Sequence, residues 1–118
     1  LFEPLATLLH RSVGVEQDLA AALDRPDVEW AAIIGSWASG ERRPNSDIDV
    51  LVIGDAELRE LRRGVRPIGA RAGRTIDLTV LTAADFRRHL AEGSSFSRTV
   101  LEGPRTPLVG RLPAGSAT

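Results

Sequence analysis

Gly35-Ser36-Trp37-Ala38-Ser39-Gly40-Glu41-Arg42-Arg43-Pro44-Asn45-Ser46-Asp47-Ile48-Asp49 joins two apolar runs, Trp30 to Ile34 and Ile48 to Ile53. Each run is short for a helix and rich in buried residue types, which predicts two core strands connected by a Gly/Ser-rich turn. That turn brings the backbone N–H groups of Gly35 and Ser36, and the Ser36 hydroxyl, beside the carboxylates of Asp47 and Asp49. A spacing of two on a strand points both carboxylates to one face, roughly 6.5 Å apart along the chain. Without a cation they repel each other. The stretch therefore reads as a phosphate-and-metal site.

Three motifs widen that reading: Gly-Ser-x-Ala-x-Gly-Glu at 35–41, Ser-Asp-Ile-Asp at 46–49, and Leu-Glu-Gly-Pro-Arg-x-Pro-Leu-Val-Gly at 101–110. Gly35-Ser36, ten residues, then Asp47-x-Asp49 resembles the signature of the polymerase-beta-like nucleotidyltransferase superfamily, and above all its minimal domains. The likeness spans most of the chain. It implies an α/β (α+β) fold with a palm-like mixed sheet packed against helices. The closing motif and the opening Leu-Phe-Glu-Pro-Leu resemble bacterial members in which such a domain follows a DNA-binding helix-turn-helix. Residues 1–110 are expected to form the domain and residues 111–118 a flexible tail.

The chain of 118 residues has room for one core and no substantial second domain. Its formal net charge of -1 creates no field that would draw it to nucleic acid or a membrane. Cysteine is absent, which excludes thiol chemistry, disulfides and thiolate zinc sites and is compatible with a reducing cytoplasm. Lysine is absent as well, so a P-loop lysine and Schiff-base chemistry are excluded and phosphates fall to arginine, backbone N–H groups and metal. No secretory signal or membrane-spanning run is visible. The chain starts at Leu1 and not at Met, from which a preceding portion is expected.

Taken in order, Pro4, Leu5, Leu8 and Leu9 predict a short helix to about Arg11, closed by Gly14. Val15, Leu19, Ala22 and Leu23 form a second helical stripe, stopped by Pro26. A short helical turn is expected from Ser36 to Gly40. In the second strand Ile48, Val50 and Val52 face one way, and Asp47, Asp49, Leu51 and Ile53 the other. Asp55 is the expected cap of a helix carrying Leu58, Leu61, Val65, Ile68 and Ala72, kinked or broken at Pro67, its arginines solvated. Thr75 to Leu81 reads as a strand with Ile76, Leu78 and Val80 on one face and Asp77 on the other. Thr82 and Asp85 resemble a capping box for a helix with Phe86 and Leu90 inward, ending at Gly93. Phe96, Val100 and Leu101 predict a final helix, broken at Gly103-Pro104, and Pro107 to Val109 an edge strand.

The resemblance implies a division of labour. Asp47 and Asp49 hold Mg²⁺ or Mn²⁺ together with a nucleoside triphosphate, ATP being the expected donor. Asp77, on a neighbouring strand, completes the set as the third metal-binding and catalytic carboxylate and acts on the acceptor hydroxyl. Gly35 admits the phosphates closely, Ser36 donates to the β- or γ-phosphate, and Arg42 or Arg43 reaches the triphosphate. An Arg pair in a polar loop is more often simply solvated. Ser39 and Ser46 read as turn residues, and His10 and His89 are given no catalytic role.

The leading expectation is an enzyme moving a nucleoside monophosphate, AMP from ATP, to an acceptor hydroxyl, with a toxin-like protein as partner because no helical acceptor region is present. A nucleotide-sensing regulator attached to a DNA-binding segment, without turnover, is the alternative; DNA would be reached only through that segment. An interaction domain with a vestigial site ranks third. A cytoplasmic location is expected and no membrane partner.

Overall fold

In the computed structural model, residues 14–35, 38 and 47–111 are described. Residues 14–23 are helical and are denoted α1. Next in the chain come β1 (Val28–Ile34), β2 (Ile48–Gly54), α2 (Leu58–Ala72), β3 (Ile76–Leu81), α3 (Ala83–Glu92), α4 (Ser95–Glu102) and β4 (Arg105–Gly110). The strands form a mixed sheet in the order β3-β2-β1-β4. β1 runs antiparallel to β2 and to β4, and β2 runs parallel to β3, with α2 as the crossover that a parallel pair requires. This is the expected α/β architecture.

Both faces of the sheet are covered, which explains why β1 and β2 are apolar nearly throughout. On one face Ile33, Ile48, Val50, Val52 and Leu78 pack with Leu19 and Leu23 of α1 and Leu61, Val65 and Ile68 of α2. On the other, Trp30, Ala32, Leu51 and Ile53 enclose Phe86 and Val100 from α3 and α4. Strict alternation would put Val28 and Trp30 on the same face, yet they belong to opposite cores. A shift in the β1–β2 register between Val28 and Trp30 accounts for this, because one extra residue reverses the facing of the residues beyond it.

Several local expectations are corrected. Gly14 is helical and does not close a helix at that point. Asp55 does not cap α2: the N-cap is Glu57, with no side-chain bond, while the Asp55 N–H donates to the Asp27 carbonyl at 2.9 Å. α2 runs unbroken through Pro67, because Leu61, Val65 and Ile68 anchor both sides of the proline in the core. Leu101 is 44% exposed, since Val100 occupies the inward position at that turn. The Thr82 cap is formed, its Oγ1 accepting from the Asp85 N–H at 3.0 Å. β4 is an edge strand that tolerates Pro107, as a sheet edge can. The expected helix over 5–11, most of the turn over 36–40 and most of the tail lie outside the described residues. Among the described residues no helix is long and apolar enough to cross a membrane.

Candidate active site

β2 and β3 start at the same end of the sheet, and their parallel pairing places Asp49 opposite Asp77. Adjacent strands lie about 4.8 Å apart, and paired residues of a parallel ladder share a face, so the two carboxylates project side by side. Two residues ahead of Asp49, Asp47 is exposed at the approach to β2. The placement of the acids follows from the strands behind them. Val50 to Ile53 are fully packed, and this locks the strand in the register that leaves Asp49 at the rim.

Asp49 is half-buried, and its carboxyl is pushed above the ordinary aspartate range, first by burial and then by the negative charges of Asp77 and Asp47. Among the described residues no cationic side chain pairs with Asp49 or Asp77. Nor, among them, are three His, Cys, Asp or Glu groups gathered closely enough to enclose an ion. Among the described residues the site is a concentration of hard-oxygen donors with no cationic side chain paired to Asp49 or Asp77. That chemistry fits a small divalent cation such as Mg²⁺ or Mn²⁺, which takes one or two carboxylates and fills its remaining positions with phosphate oxygens and water.

Gly35 closes the site from the end of β1. Its neighbour Ile34 pairs with Asp49, and Gly35 itself has φ +80°. A Cβ there would lie 3.0 Å from Asp49 Oδ2, so both the backbone conformation and the approach of the carboxylate call for glycine. Ser36, Arg42 and Arg43, expected at the phosphates, lie outside the described residues, as do Ser39, Ser46 and His10.

Arg74 and Thr75 were not marked by any motif. They share a cleft with Asp47, together with Gly69, Ala70 and Gly73 at the end of α2. The Ile48 N–H donates to the Thr75 carbonyl at 2.9 Å, which ties the entry of β3 to that of β2. The available signal was the α2 C-cap at Gly73, which turns the chain back toward the acids. His89 is engaged elsewhere in the fold: its Nδ1 lies 3.3 Å from Ser94 Oγ and its ring 5.4 Å from that of Phe96, a contact joining α3 to α4.

Comparison with known proteins gives the same architecture. The sequence pattern of the family described as polymerase beta, nucleotidyltransferase matches residues 17–95. No curated protein matches the chain. Among solved structures it is similar to a toxin–antitoxin with AMP-PNP, at 15% identity and a TM-score of 0.56 over 86% of this chain and 78% of that one. A mutant MntA–HpeT toxin–antitoxin has 14% identity and the same TM-score, 0.56, over 86% and 78%. A tri-AMPylated Shewanella oneidensis HEPN toxin in complex with MNT antitoxin has 13% identity and a TM-score of 0.54, over 90% and 78%. At these identities the structural likeness establishes the fold.

Proposed function

Because the chain belongs to the polymerase beta nucleotidyltransferase family, we propose that it transfers AMP from ATP to a hydroxyl of a partner protein. The observation that carries this reading is the opposition of Asp49 and Asp77 across β2 and β3 with Gly35 at the rim. The AMP-PNP of one structural neighbour and the AMPylated toxin of another support the choice of donor and of a protein acceptor. The absence of cysteine is compatible with a cytoplasmic setting.

In the proposed reaction the acceptor oxygen forms a bond to the α-phosphorus as the bond from that phosphorus to the pyrophosphate oxygen breaks. The acceptor proton passes to Asp77 and then to water. Asp47 and Asp49, with Asp77, are the groups that would hold Mg²⁺ or Mn²⁺. Once bound, the ions lower the pKa of the acceptor hydroxyl and neutralise charge growing on the leaving pyrophosphate. Gly35 leaves space for the triphosphate beside Asp49, Ser36 donates its hydroxyl to a terminal phosphate, and Arg42 pairs with the triphosphate charge.

Incubation with labelled ATP and Mg²⁺, with and without the protein encoded by the adjacent gene, tests this reading. Label is expected on that protein and on neither component alone. A chain that binds ATP but labels no acceptor, and in which Asp77→Asn changes nothing, would instead be a nucleotide sensor.

A further inference from the structure

α2 has a second face that the transfer reading does not use. Leu61, Val65 and Ile68 point into the core, while Arg59, Arg62, Arg63 and Arg66 are all exposed on the opposite side. Their i, i+3, i+4, i+7 spacing makes one stripe, about 10 Å long at 1.5 Å per residue. Among the described residues none of the four has an ion-pair partner. Two acids of the surrounding surface are already engaged: Glu60 accepts from Arg25 at 2.9 Å, and Asp18 from Arg71 at 3.2 Å. The stripe is therefore a local excess of positive charge on a chain whose formal net charge is -1.

The stripe also leads toward the acids. The four arginines line one depression, and Arg62 and Arg66 continue into a groove past Gly69, Ala70, Arg74 and Thr75. The last four of these line the cleft that contains Asp47. A molecule lying along α2 thus reaches Asp47, at the end of the sheet where β2 and β3 begin.

We propose that the α2 stripe docks an acidic segment of the protein acceptor, its carboxylates pairing with Arg59, Arg62, Arg63 and Arg66. The placement of that segment beside the acids rests on the transfer reading above. Charge complementarity sets the chemistry, because guanidinium groups are weakly hydrated and bind carboxylates in paired hydrogen bonds. The shape of the patch favours protein over nucleic acid. Among the described residues no aromatic side chain lines the depression or the groove to offer bases a stacking surface. Its length suits two turns of a partner helix, whereas a nucleic-acid interface is generally much larger. With no net positive field, recognition depends on short-range pairing.

The test uses a fluorescein-labelled 20-residue polyglutamate, a 20-nucleotide polyuridylate as the competing polyanion, and anisotropy at low and physiological salt. The wild-type chain is expected to bind polyglutamate more tightly than polyuridylate. Joint replacement Arg59→Gln, Arg62→Gln, Arg63→Gln and Arg66→Gln should weaken polyglutamate binding at least about tenfold, or about 1.4 kcal/mol. Arg→Lys at the same four positions should retain most of it, and Arg87→Gln with Arg98→Gln should change nothing. Preference for polyuridylate, failure to bind either probe, or binding indifferent to the four substitutions would overturn the proposal. Mg²⁺-dependent ATP binding, measured by calorimetry on the same preparations, separates the two readings. Stripe-dependent polyglutamate binding without ATP binding would leave the docking surface standing and remove the transfer function. ATP binding with no polyglutamate binding would do the reverse.

Discussion

At Asp49, burial and the charges of Asp77 and Asp47 make the folded chain hold a proton to higher pH than the unfolded chain does. The sign comes from linkage. Below the ordinary aspartate range both states are protonated and the group has no effect; as pH rises through the raised folded value, the native state loses stability. In metal-free buffer the melting temperature should therefore carry a component that falls as pH rises above the ordinary aspartate range and that Asp49→Asn removes. The variant is expected to melt higher than wild type at neutral pH in EDTA. If Asp49 holds the metal as proposed, adding Mg²⁺ and ATP should reverse the ranking, because a ligand that binds only the folded state stabilises it. Thermal melts with and without Mg²⁺ and ATP check both signs, and a variant that gains as much from Mg²⁺ and ATP as wild type would remove Asp49 from the site. Asp77 differs in being exposed, and in the proposed reaction it serves the acceptor. Asp77→Asn should keep ATP binding within about tenfold, roughly 1.4 kcal/mol, while transfer falls by orders of magnitude. Calorimetry and label release on one preparation measure the two effects.

Within α2, two glycines of the same helix are expected to respond to alanine with opposite signs. At Gly64 a Cβ would meet nothing within 4 Å, so Gly64→Ala gains helix propensity without a clash. It should stabilise the chain by about 0.5–1 kcal/mol. At Gly69 a Cβ would come 2.6 Å from the Arg74 carbonyl oxygen and 3.1 Å from Ile76 Cγ1. The close passage of the chain leaving α2 is what sets β3 beside β2, so Gly69→Ala must open that packing. A loss of about 1–3 kcal/mol is expected, read by urea unfolding. Equal effects at the two sites would mean that the Gly69 approach is not tight. The helix itself was legible from its three-four spacing, but the role of each glycine was not. Sequence marks both as helix-weakening residues, and only the path of residues 73–76 distinguishes them.

Across the whole molecule, the sheet is a wall between two cores, and α3 contributes Phe86 to the smaller one. Phe86 is fully buried among residues of β1, β2 and α4. Phe86→Ala should cost about 3–5 kcal/mol, seen as a large drop in the denaturation midpoint. A change below 1 kcal/mol, roughly what an exposed site shows, would contradict the two-core arrangement. The existence and facing of the strands could be read in advance, because Ile48-Asp49-Val50-Leu51-Val52-Ile53 and Ile76 to Leu81 carry period-two alternation or continuous burial within themselves. The Thr82 cap, Gly93 and the break at Gly103-Pro104 were legible for the same reason: their chemistry acts over three or four residues. The identity of the cap of α2, the outward turn of Leu101 and the register shift in β1 were not, since each depends on packing against distant segments. Local sequence was enough to specify which segments form strands and helices, and that Asp47, Asp49 and Asp77 stand near strand starts, since backbone preference and hydrophobic period are local properties. That Asp49 faces Asp77, that Gly35 abuts Asp49, and that four arginines of α2 lead toward Asp47 emerges only in the folded chain. Those placements are set by a strand register and a helix rotation, which the burial of two shared cores selects jointly and which no single segment encodes.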